Sequence, residues 1–411
     1  MQISEVFRSL RSRNFALFFS GQLISRVGMW MQRTAVIWVV YTITHSAFMI
    51  GVATFAEQFP SFIFSVRGGI IADKYNRYKV LMLTQTLSAV QAVLLTVFTF
   101  SGNYNIALIL GLSVFLGIVN AYDVPVRQSM INEIVENKDD LTNAIALNSS
   151  LNTLARLIGP ALSGFVLAKY GADYCFLSNA ISFIAVIAAI AAMRFPRNTF
   201  VVGKTKSKGQ FKEAIGYLKE NKPIATVIWI AALTSFFVMS YITLLPVYAK
   251  DIFKGNAATY GWLNSTIAVG AFAGSFYLAT LSNKANFRKI LLLNTFLLGA
   301  GLLLFAYSNN LLLSLVFCVI GGFSSICQMA VVITIVQRET DKQFRGRVIS
   351  FIAMAMFGML PLGSLLVGYL APIAGAPLTS FIQGIIEIII GIIFYKNLTG
   401  TSIKLNQSNE I

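Results

Sequence analysis

The sequence predicts an all-α polytopic membrane protein, with twelve transmembrane helices in two pseudo-symmetric six-helix halves. Three observations lead there. Charged residues are 12% of the 411, against 56% hydrophobic ones, about half the charge of a soluble domain. Apolar stretches of the roughly 20 residues that a bilayer demands recur along the whole chain, between polar or Gly/Pro breaks. Lysine and arginine gather in alternate breaks, the positive-inside pattern. Together these exclude a soluble enzyme, a disordered chain and a coiled coil. They also assign the net charge of +16 to membrane orientation rather than to nucleic-acid binding.

The elements follow in order. Arg8, Arg11 and Arg13 precede the apolar stretch that Phe15 opens. The outline is that of a secretory signal, but Arg26 and Arg33 interrupt the stretch and no A-x-A site follows. It is predicted as an uncleaved first span, 15–42. Spans 47–71, 79–100, 105–132, 144–168 and 172–193 complete six. The longest polar break, 194–223, carries eight basic residues and a short amphipathic piece from Phe211 to Leu218. Spans 224–248, 258–281, 288–307, 311–336, 346–370 and 376–396 complete the second six. The division is an N-terminal bundle at 1–193, a cytoplasmic linker at 194–223 and a C-terminal bundle at 224–411.

With the amino terminus inside, internal segments hold 24 Lys/Arg and external ones only Lys169, Lys250 and Lys254. Both termini are therefore expected in the cytoplasm. An internal repeat supports two parallel halves. Ile134-Val135, Asp140 and Pro160 recur as Ile335-Val336, Asp341 and Pro361, each offset by 201 residues. That lays the fourth span on the tenth and the fifth on the eleventh. Parallel repeats are a transporter architecture, with substrate held between the halves near mid-membrane. Cys175, Cys318 and Cys327 form no CxxC pair or disulfide framework. The single histidine, His45, falls in an external loop, so no metal site and no cofactor are expected. Gly203-Lys204-Thr205 has the tail of a phosphate loop, but Asn198 stands where its first glycine belongs and no strand precedes it. An ATP-driven pump is excluded.

Charges inside spans are costly and mark functional candidates. They are Arg26, Arg33, Glu57, Arg67, Asp123, Arg127, Arg156 and Glu387, seven of the eight in the first half. Asp123 is the first proton-coupling candidate and Glu57 the second, with Arg26, Arg33, Arg127 and Arg156 as charge partners. Arg33 and Glu57 lie at matching depth, as do Arg26 and Asp123, and Arg127 is one turn from Asp123 on the same face. Arg67 is near the inner end of its span and can snorkel. The second half offers Phe236, Met239, Tyr241, Gln328, Met354 and Phe357 instead, an adaptable Met-rich wall for a substrate. Ordinary helix packing also accounts for any one of these. The excess of arginine over acid in the first half favours anionic or neutral amphipathic ligands over cations.

Gly69-Ile-Ile-Ala-Asp73-Lys-Tyr-Asn-Arg77 resembles the loop 2–3 signature of the major facilitator superfamily, and Gly159-Pro160-Ala-Leu-Ser-Gly164 looks like its antiporter signature. The runs Gly21–Ser25, Gly28–Gln32, Asp123–Gln128, Asn143–Asn148 and Arg345–Val348 are similar to a bacterial exporter branch that includes enterobactin exporters and macrolide efflux proteins. The resemblance implies the major facilitator fold in the bacterial inner membrane. It implies a monomer that exports a small molecule, a siderophore or drug-like compound, in exchange for protons. It makes Gly69, Asp73 and Arg77 a conformational latch and Gly159, Pro160 and Gly164 a helix-packing motif. The partners expected are membrane lipid, a small-molecule substrate and protons, with no nucleic acid. Two departures stand out. Leu112 occupies the region of the superfamily's arginine in span 4, and the loop after span 8 lacks the acid of its first-half counterpart. The family places span 12 at the periphery, where Glu387 would be a neutral acid. Import of a defined nutrient and uncoupled lipid flipping remain open alternatives.

Overall fold

The computed structural model describes residues 7–194, 210–282, 285–341 and 344–399, and every element among them is helical. The helices are α1 (Arg13–Thr44), α2 (Ala47–Lys74), α3 (Arg77–Phe100), α4 (Ile106–Ile134), α5 (Leu141–Lys169) and α6 (Ala172–Ala191). After them come the amphipathic α7 (Gln210–Glu220), α8 (Lys222–Ile252), α9 (Ala257–Thr280), α10 (Phe287–Ala306), α11 (Leu311–Glu339), α12 (Arg345–Ala374) and α13 (Ala376–Thr399). Each predicted span falls on one helix, with ends shifted by a few residues. Among the described residues, ten helices are long and apolar enough to cross a membrane. α1, which carries Arg26 and Arg33, and the Ala/Gly/Ser/Thr-rich α9 are not among those ten.

The boundaries follow from local chemistry. Asparagine side chains at 76, 105, 286 and 310 accept the first free N–H groups of α3, α4, α10 and α11, and Ser46 does the same for α2. Gly171, at φ 95°, turns the chain between α5 and α6 in a conformation that L side chains rarely adopt. Pro60, Pro125, Pro160 and Pro372 sit inside helices, where neighbours in a membrane re-satisfy the freed carbonyls. α8 widens into π-helical turns at Thr234–Val238 and Tyr248–Ile252, and α12 into one at Met354–Gly358. The turns at 234 and 354 touch: Ser235 Oγ donates to the Met356 carbonyl at 3.0 Å.

The chain divides into two compact units. Unit 1 is Met1–Lys206 with Thr243–Ala268 and Ser364–Ile373; unit 2 is Ser207–Ile242, Val269–Gly363 and Ala374–Ile411. Phe15, Phe18, Leu81, Met130, Ile134 and Phe183 centre the packing of unit 1. Val227, Leu291, Val332, Val336 and Val348 do so in unit 2. Lipid is as apolar as these side chains, so close fit and interhelical polar contacts supply the cohesion.

Each unit also docks the segment preceding its first long helix. In unit 1 the short turn Arg8–Arg11 binds the loop after α4. Arg8 pairs with Asp140 at 3.1 Å, and the Ser9 N–H and hydroxyl donate to Asn143 Oδ1. In unit 2 Tyr217 of α7 stacks on Phe344 at 4.5 Å, and its hydroxyl accepts the Asp341 N–H. Glu213 pairs with Arg347 at 2.6 Å. The repeated Asp140 and Asp341 therefore mark a docking point of the same kind in each unit. Between α3 and α4, Tyr104 donates to Asp173 at 2.5 Å. Burial, then that bond and the carboxylate charge, push its phenol above the ordinary value.

Candidate functional site

The interior of unit 1 is wired by polar side chains. Asp123 of α4 is 2% exposed. One of its oxygens takes Arg127 at 2.9 Å, and the other accepts Thr84 Oγ1 at 2.9 Å and Gln85 Nε2 at 2.7 Å from α3. The pair anticipated on one face of α4 is thus formed, and α3 completes it with two neutral donors. Arg26 of α1 is hydrogen-bonded to Asn152 of α5 and to Gln22 one turn back. A further chain of amides crosses the bundle: Asn179 of α6 donates to Gln32 of α1, which donates to Gln91 of α3. Such groups are costly in an apolar bundle unless each finds a partner, so they fix the register of the helices.

Arg33 and Glu57 meet at 3.3 Å across α1 and α2. They border a cavity of about 10 Å³, enough for roughly one water, with Gln32, Gln91 and Ser113 on its other sides. Trp30 lies on the same stretch of α1. The Arg33 guanidinium stands 5.2 Å from its ring and the Arg156 guanidinium of α5 stands 5.9 Å away. Cation–π attraction holds both arginines against one indole. Of the charged side chains anticipated inside the first six spans, Arg67 makes the simplest contact, a cation–π approach to Phe64.

At the Lys74 end of unit 1, Arg77 donates to the Ala72 carbonyl at 2.9 Å and pairs with Glu133 of α4. Asp73 lies 3.8 Å from Arg77 and is half exposed. Arg77 is the hub of this cluster. Gly69 faces open space, whereas a Cβ on Gly68 would lie 2.0 Å from the Ala121 carbonyl; Gly68 is what lets α2 and α4 meet. In unit 2, Arg288 of α10 binds Glu339 of α11 through two nitrogens, at 2.5 and 3.2 Å, and donates to the Asn397 carbonyl. The loop before α10 lacks the first-half acid, but the arginine-to-glutamate tie has a counterpart.

The packing motif serves two neighbours. A Cβ on Gly159 would lie 2.4 Å from Trp30 Cβ, and one on Gly164 would lie 2.8 Å from Gly261 Cα. Gly159 thus seats α1 on α5, and Gly164 seats α5 on α9. Close by in unit 1, Trp38 stacks on Tyr260 at 5.7 Å and Tyr41 donates a short hydrogen bond to Asp251. Pro160 lies between the two glycines, and its carbonyl faces Gly261.

Unit 2 holds the substrate-wall residues differently from one another. Phe236 meets Phe237 edge-on at 4.7 Å, and Met354 is exposed. Met239 is partly buried. Tyr241 is buried beneath Gly321, and Gln328 donates to Glu387 at 2.8 Å. The Phe357 side chain lies outside the described residues. Glu387 is fully buried and also accepts Thr234 Oγ1 at 2.9 Å. It joins α8, α11 and α13, and its acceptor contacts fall at the first π turn of α8. Glu133, Gly68, Asn152 and Trp30 were not singled out by sequence. Ending span 4 at 132 placed Glu133 in a loop, and the others carry no signal apart from a partner far along the chain.

Comparison with known proteins fits this arrangement. The model of a family described as transmembrane secretion effector matches residues 4–409. A staphyloferrin A transporter of Staphylococcus aureus is 30% identical over 396 residues, covering 95% of this chain and 98% of that protein. Macrolide efflux protein A of Streptococcus pyogenes is 19% identical over 383 residues, 92% and 94% of the two chains. Among solved structures, the nucleoside transporter NupG superposes with a TM-score of 0.75 at 11% identity, covering 94% of this chain and 99% of that one. A bacterial homologue of the lysosomal transporter Spinster, inward-facing and unoccupied, gives 0.73 at 13% identity, with 94% and 97% covered. At such identities the structures share the fold alone.

Proposed function

Because the chain belongs to the major facilitator superfamily, in its transmembrane secretion effector family, it is a multi-pass bacterial membrane transporter and not an enzyme, and we propose that it exports an anionic amphipathic small molecule in exchange for protons. The match along residues 4–409 carries the export reading. The relatives named for a siderophore and for macrolides make a siderophore or a drug-like compound the substrate class. In this reading twelve spans form two six-helix halves, 1–193 and 224–411, joined by a cytoplasmic linker at 194–223, with both termini inside. The chain works as a monomer by alternating access.

Trp30 between Arg33 and Arg156 is the contact surface for the substrate: guanidinium groups for carboxylate or catecholate oxygens, and an indole for an apolar or aromatic part. Phe236, Met239 and Met354 supply the adaptable apolar wall. Among the coupling candidates, Glu57 comes first on access. It borders a water-sized cavity with one charged partner, whereas three donors already fill Asp123.

The test is transport in proteoliposomes under an imposed pH gradient, with a carboxylate siderophore, a catecholate siderophore and ethidium. The anionic ligands should move and ethidium should not. Arg156→Gln should weaken their binding by about tenfold, the worth of one charge-assisted hydrogen bond. Pumping of ethidium at full rate by the Arg156 variant, with no siderophore transport by either protein, overturns the reading.

A further inference from the structure

Outside this polar interior, unit 1 carries an open groove of about 400 Å³ between α2 and α4. Phe55, Phe59, Ile63 and Phe64 line it from α2, and Gly111 and Val114 from α4, with no polar side chain in its wall. Phe55 and Phe59 stack at 4.3 Å and so hold one side rigid. Gly111 leaves the opposite side open: a Cβ there meets nothing within 4 Å. From Val52 to Phe64 the groove follows roughly 18 Å of helix at about 1.5 Å per residue. The hydrocarbon of one leaflet is about 15 Å deep, half of a core of roughly 30 Å. A groove of that length takes most of one acyl chain, and it runs past the middle of α2.

A cation stands at one end. Arg67 lies one turn beyond Phe64, its guanidinium 5.7 Å from that ring. It is exposed, and among the described residues no carboxylate lies within ion-pair distance of it. Lys74 and Lys79 follow toward the same end of α2 and the start of α3. The wall takes a hydrocarbon chain and the end takes an anion. In a chain surrounded by bilayer, the molecule that carries both at this spacing is an anionic phospholipid.

We propose that this groove is a binding site for an anionic phospholipid, its acyl chain along Phe55–Phe64 and its phosphate on Arg67. The headgroup would stand on the Lys74 side of the bilayer, with the chain reaching past the middle of α2. The lipid would then brace α2 against α4 above the Arg77–Glu133 tie. The site does not depend on the direction or identity of the transported substrate.

Native mass spectrometry of the detergent-solubilised full chain tests it, read as the apparent affinity of the first lipid bound. The lipids are phosphatidylglycerol and phosphatidylcholine with matched chains. The wild type should prefer phosphatidylglycerol by about tenfold, a charge-assisted contact's worth. Arg67→Gln should abolish the preference, and Arg67→Lys should keep most of it. Gly111→Phe fills the groove without meeting backbone and should weaken both lipids at least tenfold; Val114→Trp should do the same if Gly111→Phe does not fold. Equal affinity of the wild type for the two lipids refutes the headgroup assignment. Undiminished binding by a folded groove-filling variant refutes the groove.

Discussion

Gly164 offers the sharpest test of the transport cycle. A methyl group at this position lies 2.8 Å from Gly261 Cα and 3.1 Å from the Ala257 carbonyl. Both are backbone atoms and cannot rotate away, so α5 and α9 must separate by several tenths of an ångström. Overpacking of this kind costs about 1–3 kcal/mol. If α5 and α9 are apposed in one state of the cycle and parted in the other, the cost falls on the apposed state alone. Its population relative to the parted state then falls about 5–150-fold. The assay is crosslinking by a short bifunctional maleimide in a Trp38→Cys/Tyr260→Cys background, because these rings stack at 5.7 Å beside the same crossing. Cys175, Cys318 and Cys327 are buried and give little background. Gly164→Ala should lower the yield and Gly164→Val should nearly abolish it, with transport falling in parallel. Gly216→Ala on α7, where a Cβ meets open space, should change neither. Unchanged crosslinking and transport in Gly164→Val, with an unchanged melting temperature, would show that this crossing is static.

Three further outcomes are expected. For topology, a cysteine replacing Asn256 should label with an impermeant maleimide in intact cells and one replacing Lys206 should not; the reverse pattern inverts the assigned orientation. At the Lys74 end, Arg77→Gln removes the contacts with Glu133 and with the Ala72 carbonyl and should slow turnover more than Asp73→Asn, whose ion pair with Arg77 is long, at 3.8 Å, and half exposed. Equal slowing of turnover per molecule would return Asp73 to the centre of the latch. For coupling, Glu57→Gln should uncouple export from the pH gradient while leaving equilibrium substrate binding within about threefold; Asp123→Asn should lower the melting temperature, because Arg127 is left buried without its partner. Full gradient dependence in Glu57→Gln would remove Glu57 from the proton path.

The helices were legible because their cause is local and repetitive. Twenty apolar residues between polar breaks leave a chain in lipid little choice but a helix, and asparagines at 76, 105, 286 and 310 then set where four of them start. The ion pairs were legible because charge is rare in the spans: matching depth selects Glu57 for Arg33 and one-turn spacing selects Arg127 for Asp123, whereas Arg26, at the depth of Asp123, hydrogen-bonds to Asn152 and Gln22. Neutral partners were not. Thr84, Gln85, Asn152 and Gln91 sit among many equivalent polar residues, and only the crossing of α1, α3, α4 and α5 brings them to the charges. Glu387 shows the same limit. The family resemblance places its span at the periphery, yet the widened turn at Thr234 and the side chain of Gln328 enclose the carboxyl. The π turns at 234 and 354 have no residue signature of their own.

The side chains proposed for recognition differ in chemistry between the two units. In unit 1 these charges are pinned: Asp123, buried, by three donors, and the partly buried Arg33 and Arg156 against one indole and Arg26 against Asn152. Pinned groups lose little entropy when an ion arrives, so they discriminate by charge and geometry. In unit 2 the wall residues stand on helices interrupted by π turns, where one extra residue per turn can shift without unravelling the helix. Methionines there repack at low cost. On the proposed export reading, the ligands carry a fixed anionic part and a variable apolar part. Substitutions should then separate. Arg156→Gln ought to lower affinity for every anionic substrate alike. Met354→Ala ought to reorder affinities among ligands that share a headgroup and differ in their apolar portion. If Met354→Ala instead scales all affinities equally, selectivity is not exercised at the unit 2 wall, and the arginines of unit 1 read the substrate alone.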